Sequence, residues 1–545
     1  MNYKTLLFFC SCLFVNLNSS AQNISIIPWP YEVVVGRETF TISSQTKIAY
    51  CDKSLRTAKI LQTDILDKLG FQVKLFKSET PGEGNICLKN DKNMANEAYR
   101  LVISKNGIEI IASNNAGWFY GVQSLFQLIP ATDKTTGIMG SIQVPGVTIS
   151  DEPRFAWRAF MLDEGRYYKG MAQVKLLLDE MARLKMNVFH WHLVDNEGWR
   201  IEIKKYPLLT EIGSKRKSSQ IGPLKWESPM QSGEPHEGFY TQKEIKEIIK
   251  YAEERHITIV PEIEMPGHST AAIAAYPWLG TEKKRKDVPT RFGVSDDVYD
   301  VSDPRCLQFF TDVLDEIVDL FPSKVIHIGG DEVKYNDWKK SASIQAYMKD
   351  NNLATPADLQ IFFTNYISHY LQSKGRRMMG WNEILGHNLH EYQSEIDTKT
   401  NQQLAKGSII HFWKGDADLA VQAAGRGYEI VNSHHTKTYL DYSYDDLTLS
   451  RAYAFDPIPE GLAPKYHEKV IGMGCQMWGE WIPTVGNMHF MVFPRIAAFA
   501  EVGWTMKENK DLGRFKINLK KLEKFWEQKG IYYAPESFVE KNENK

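Results

Sequence analysis

The sequence predicts a (β/α)8 barrel preceded by a smaller α/β domain. Three observations carry this. After Arg154, eight short apolar segments alternate with amphipathic helical stretches; acids and indoles stand at the ends of those segments; and no GxGxxG turn opens the first unit, as a doubly wound sheet would favour. With 545 residues the chain is too long for one compact core, so at least two domains are expected.

Residues 1–21 read as an export signal. Lys4 precedes an apolar run over 6–15, polar residues follow, and cleavage is expected between Ala21 and Gln22. The run is too short to span a bilayer, so the expected location is periplasmic or extracellular after passage across the inner membrane. Cys10 and Cys12 leave outer-membrane lipidation open, although neither follows a convincing lipobox. Residues 22–150 alternate strands with two helices. The first helix spans about 54–69 and stops at Gly70. The second starts near Asn115, with Trp118, Val122, Leu125, Phe126 and Ile129 at helical spacing. Few helices for several strands suggest a sheet covered on one face. Pro145, Gly146 and Pro153 mark the boundary to the barrel, 151–535.

The eight barrel strands are expected at "RAFMLD" from 158, "NVFHWHLVD" from 187, "ITIVPEIE" from 257, "KVIHIGGDE" from 324, "RRMMGWNE" from 376, "SIIHFW" from 408, "YEIVNS" from 428 and "KVIGMGCQMW" from 469. Thr241 with Glu244 forms a capping box, and Asp303 and Thr355 each cap a helix that opens on Pro. A net charge of -2 supplies no field for nucleic acid. Cys51, Cys87, Cys306 and Cys475 have neither scaffold density nor zinc spacing and read as buried thiols.

Barrel enzymes gather their chemistry at the C-terminal ends of strands. Those ends hold Asp163, Asp195, Glu262, Glu264, Asp331, Glu332, Trp381, Trp413, Asp441 and Trp478. Carboxylates in an aromatic pocket suit glycoside hydrolysis, where one acid protonates the leaving oxygen and another group answers the charge at the anomeric carbon. "GGDE" at 329–332 is the sharpest signal, since two glycines permit a tight turn beside a ligand. Neighbouring strand residues point to opposite faces, so Asp331 and Glu332 can share a site only where the strand is already ending.

The motifs "WRAFMLDEGR", "KMNVFHWHLVDNEGWRIEI", "PEIEMPGH", "HIGGDE", "GWNE" and "CQMWGE", in this order, resemble those of glycoside hydrolase family 20, the β-N-acetylhexosaminidases, over about residues 24–505. The resemblance implies a TIM barrel and a retaining exo-hydrolase of terminal β-linked GlcNAc or GalNAc. Its nucleophile would be the substrate's own acetamido oxygen, giving an oxazolinium intermediate; the family stands outside the two-carboxylate rule. It further implies Glu332 as acid and then base, Asp331 holding the acetamido N–H, Tyr439 donating to the acetamido oxygen, and Asp195 with His268 tuning Glu332. Arg158, Asp441 and Glu480 would grip sugar hydroxyls, and Trp381, Trp413 and Trp478 would wall the acetamido pocket. No cofactor or metal is implied. Departures fall at Tyr167, Asn196, Glu197 and Glu264. Two rival readings compete with it: a metal-dependent hydrolase using the HxH of His190 and His192, and a glycan binder without catalysis.

Overall fold

The structure is a computed structural model and describes residues 24–78, 85–129 and 140–539. The expected export signal lies outside the described residues. Seven strands form the N-terminal sheet: β1 (Glu32–Ser43), β2 (Lys47–Tyr50), β3 (Lys74–Lys77), β4 (Asn85–Asn90), β5 (Tyr99–Ser104), β6 (Gly107–Ala112) and β7 (Ser141–Asp151), in spatial order β1-β7-β5-β6-β4-β2-β3. β4, β2 and β3 run parallel to β6, and the β6-β5-β7-β1 side is antiparallel. Helices α1 (Leu55–Leu69) and α2 (Asn115–Leu128) pack on the sheet and on each other. Gly70 ends α1 in a left-handed conformation at φ 78, where a Cβ would be strained. Asn114 starts α2 by accepting the Gly117 N–H.

The barrel comprises β8 (Trp157–Asp163), β9 (Val188–His192), β10 (Thr258–Glu262), β11 (Val325–His327), β12 (Arg377–Trp381), β13 (Ile409–Phe412), β14 (Glu429–Asn432) and β15 (Val470–Met477). Every neighbouring pair is parallel, and β15 closes on β8. All eight overlap the expected segments. The capping boxes at Thr241 and Thr355 and the Asp303 cap are present.

The interior is layered because residues two apart on a strand face the same way. Ala159, Val188, Val260, Val325, Met379, Ile409 and Val431 form an apolar ring. One step towards the C-terminal ends, the same strands present Met161, His190, Glu262, His327, Trp381 and His411, none more than 2% exposed. An apolar lower ring thus supports a polar upper layer, directly beneath the face where active sites form. Cys51, Cys87, Cys306 and Cys475 are buried and free. No helix among the described residues is long and apolar enough to cross a membrane.

Candidate active site

The turn after β11 brings two adjacent acids into one pocket. The strand ends at His327, Gly329 and Gly330 take φ 64 and 88, and Glu332 sits at φ 51. This left-handed turn breaks the alternation that would send neighbouring side chains apart. Gly329 has a second reason to lack a side chain, since a Cβ there would overlap the Glu264 carboxyl. The longer acid at the "PEIE" departure is thus accommodated by the glycine opposite it.

A cavity of about 380 Å³ opens here, a size that suits a small ligand. Asp331, Glu332, His268, Asp195, Tyr439 and Asp441 line it, with Trp413, Trp478, Glu480, Arg166, Trp226 and Trp481. Trp381 is fully buried and forms the floor rather than a wall, its indole N–H donating to Glu262 at 2.8 Å. Trp413 lies parallel to Tyr439 at 6.0 Å, and Trp478 stands 5.9 Å from Trp381, giving a box of rings. A larger groove of about 930 Å³ lies at the seam between the N-terminal helices and the barrel, remote from the strand-end acids.

Asp195, His268 and the adjacent acids Asp331 and Glu332 form a series. His268 Nδ1 lies 3.1 Å from Asp195 Oδ1, and its Nε2 lies 3.7 Å from Asp331 and 3.6 Å from Glu332. Burial opposes the charged His268 ring, but Asp195 and Asp331 hold it protonated well above the ordinary histidine range. Burial likewise opposes the Asp195 anion, but Arg166 and then His268 keep its carboxyl well below the usual range. The two pocket acids separate. Burial pushes Asp331 up to about 8. Glu332 is also disfavoured by burial, yet the charged His268 ring 3.6 Å away brings it below the ordinary value. Asp331 is nine-tenths buried whereas the Glu332 side chain is 24% exposed, so one faces inward and the other sits at the rim.

Arg158 is not in this pocket. It lies near the start of β8, and barrel strands begin at the face opposite the active site. Its guanidinium bonds Glu97 at 2.7 Å and the carbonyls of Phe155 and Lys185, tying the barrel to the turn before β5 of the N-terminal domain. Lys185 reinforces that seam through Asp151, at 2.8 Å. The arginine in the pocket is Arg166, just past the C-terminal end of the same strand. It meets Asp195 at 2.8 Å, Glu197 at 3.2 Å, Asp163 at 3.4 Å and Glu480 at 3.7 Å, and lies over the Trp478 ring. Chain direction was the available signal: position 158 opens the strand and 166 follows it. Arg158→Met is therefore expected to destabilise the fold by roughly 3–5 kcal/mol, the cost of stranding a buried partner. Its folded fraction should keep wild-type kcat and KM, which urea unfolding and steady-state kinetics would check.

Asp441 and Glu480 flank the pocket beside Arg166. Burial, followed by repulsion from Glu480, pushes Asp441 up to about 8, and its Oδ1 accepts no hydrogen bond among the described residues. The folded protein thus holds a proton that the unfolded chain releases near pH 4. That contribution to stability is present below pH 4 and lost as pH rises through about 8. Asp441→Asn should consequently melt above the wild type at pH 8, approach it at pH 4, and bind sugar less well. Thermal melts across pH would show whether the curves converge.

Both HxH histidines face the Glu262 carboxylate inside the barrel. His192 places its two ring nitrogens against Glu262 at 2.6 Å and Asp195 at 3.0 Å, and His190 lies 2.9 Å from Glu262. Sequence reasoning also missed Trp226 and Val294 at the mouth, which arrive on long loops whose reach no periodicity records, and Trp481, four residues past the last barrel strand.

Comparison with known proteins fits this geometry. Residues 155–507 match the catalytic domain of glycosyl hydrolase family 20, and 23–152 match domain 2 of that family. The chain belongs to glycosyl hydrolase family 20. It is 33% identical to a β-hexosaminidase of Porphyromonas gingivalis over 93% of its own length, spanning 65% of that relative. A β-hexosaminidase of Vibrio furnissii is 32% identical, over 90% of this chain and 78% of the relative. A solved family 20 exo-β-N-acetylglucosaminidase of Vibrio harveyi, in complex with N-acetylglucosamine, superposes with a TM-score of 0.81 at 30% identity, covering 94% of this chain and 78% of that one. Within this family 20 chain, the Tyr167 departure packs against His236 and Phe292 beneath the Arg216 guanidinium. Glu197, at another departure, accepts from Arg166 Nε at 3.2 Å.

Proposed function

We propose that this chain is a retaining exo-β-N-acetylhexosaminidase that removes terminal β-linked GlcNAc or GalNAc by substrate-assisted catalysis. One observation carries the reading: Asp331 is buried against the ring box while its neighbour Glu332 stands at the rim. Two acids on one turn cannot flank a scissile bond from opposite sides, so a second carboxylate nucleophile is not what this pair supplies.

An acetamido group fits the box of Trp381, Trp413, Trp478 and Tyr439. Asp331 Oδ1, which accepts no hydrogen bond among the described residues, would take the acetamido N–H. Burial keeps the Tyr439 phenol far above its usual range, so it remains an O–H donor to the acetamido oxygen. In the protein alone, burial favours the proton on Asp331 and His268 favours the anion at Glu332. An amide N–H arriving at Asp331 favours the carboxylate there, and repulsion between adjacent anions then favours the proton on Glu332. Glu332 gives that proton to the glycosidic oxygen as the acetamido oxygen closes on C1 and the C1–O bond breaks. Asp331 stabilises the oxazolinium cation. Glu332, now anionic, takes a proton from the water that attacks C1, the ring reopens, and the β configuration is retained. Arg166, Asp441 and Glu480 hold the hydroxyls, with the planar guanidinium fork suited to neighbouring oxygens.

Hydrolysis of aryl β-glycosides of GlcNAc, GalNAc, glucose and lacto-N-biose tests this. The GlcNAc and GalNAc glycosides should be cleaved with β product first, the galactose-capped lacto-N-biose glycoside should resist an exo-enzyme, and a thiazoline analogue should inhibit strongly. Efficient cleavage of the plain glucoside, or an α first product, would sink the reading. The apolar run over 6–15 behind Lys4 further supports export of the enzyme, and the N-terminal residue of the mature protein would test it.

A further inference from the structure

The hydrogen-bonded series behind the acid/base pair continues past Asp195 into the barrel. Asp195 Oδ2 lies 3.0 Å from His192 Nε2, and His192 Nδ1 lies 2.6 Å from Glu262 Oε2. All three are at most 2% exposed. An imidazole whose two nitrogens both bond carboxylates must donate from both, which only the doubly protonated ring can do while both acids stay ionised. The alternating order is therefore Glu262 anion, His192 cation, Asp195 anion, His268 cation, then the pocket acids.

We propose that His192 and Glu262 are positioning residues for the acid/base step, holding Asp195 ionised and aimed so that the series sets how tightly Asp331 and Glu332 keep their shared proton. The inference rests on the reading of Glu332 as proton donor given above.

The surroundings support the assigned charges. Glu262 Oε1 accepts from the Trp381 indole at 2.8 Å and lies 2.9 Å from His327, with His190 2.9 Å from Oε2. Burial lowers His327 to about 4 and holds His411 behind it well below its usual range, so these two are neutral. His192 is faced by Glu262, Asp195, Asp163 and, at 3.9 Å, Glu264, with the edge of Trp478 at 5.0 Å. Burial opposes its charge, yet Glu262 and Asp195 raise it to about 10. Glu264, raised well above its ordinary value by burial and by Asp331, is neutral. On Asp195 the remaining facing cations are Arg166 and His268. Glu262 also joins floor to relay, since the same carboxylate that fixes His192 fixes the Trp381 ring.

The test is kcat/KM against pH for wild type, Glu262→Gln and His192→Gln on an aryl β-GlcNAc. The alkaline limb reports loss of the proton shared by the pocket acids. Glu262→Gln removes a negative charge while keeping an acceptor for His192, so the limb should move to lower pH. His192→Gln removes a positive charge, so the limb should move to higher pH. Each shift should be about 0.5–1 pH unit for one charge acting through a partly screened interior. KM should change little while kcat falls. Opposite shifts cannot come from a general loosening of the fold. Limbs that coincide with the wild type, or that move the same way, would overturn the proposal; if one variant fails to fold, the sign of the other decides. Wild-type turnover in the same assay checks the underlying reading separately, since an inactive wild type would defeat that reading alone.

Discussion

Glu332→Gln is expected to lower kcat on an alkyl β-GlcNAc by about 10²–10⁴-fold, the usual contribution of a positioned general acid. The side chain keeps its shape and its place at the rim, 3.6 Å from His268, but can no longer deliver or recover a proton. Affinity for a thiazoline analogue should survive, because the acetamido box and Asp331 are untouched. Leaving groups discriminate the step. A dinitrophenol departs without protonation, so the first step should recover on that substrate, and azide, which needs no general base, should then speed turnover and yield the β-azide. Asp331→Asn should behave differently: kcat falls, leaving-group dependence stays near wild type, and thiazoline binding weakens because the charge facing the ring is lost. An unchanged kcat in Glu332→Gln would remove Glu332 from the mechanism.

Arg166→Met should carry the second large effect, on stability and turnover together. This guanidinium stands within 4 Å of Asp163, Asp195, Glu197 and Glu480, all buried or nearly so. Removing the one cation common to four carboxylates leaves uncompensated buried charge, at a cost of roughly 3–5 kcal/mol. Burial and the neighbouring Asp195 already hold Glu197 at about 8, so the cluster has little tolerance for further repulsion. The loss should shrink as pH falls and those acids take up protons. The proposed grip on sugar hydroxyls would be lost as well, lowering kcat/KM by about 10²–10³-fold. Urea midpoints at pH 5 and pH 8, with kinetics on the folded fraction, separate the two effects. If the midpoint at pH 8 matches the wild type, the four-carboxylate cluster does not depend on Arg166.

Arg158 and Arg166 also mark the boundary of what one dimension conveys. Both lie in "WRAFMLDEGR", both are buried, and both bond carboxylates. One serves the domain seam and the other the pocket, because a barrel strand carries its two ends to opposite faces. Strand direction was readable from the sequence, so the assignment to Arg158 was avoidable. The contacts of His192 with Glu262, or of His390 with the far side of Glu332 at 3.8 Å, were not, since they join residues from separate strands and loops.

What the sequence by itself determined is the barrel, its eight strands, the two preceding helices with the Gly70 stop of the first, and the acids at the turn after "VIHI". Periodicity and capping are local, and the backbone obeys them wherever a face must be buried. Only the tertiary structure decided which acid faces inward, which arginine reaches the pocket, that Trp381 is floor rather than wall, and that the acid/base series runs on to Glu262. Those outcomes depend on which side chains meet when the barrel closes and on how much water each retains, and neither quantity exists until the strands are in register.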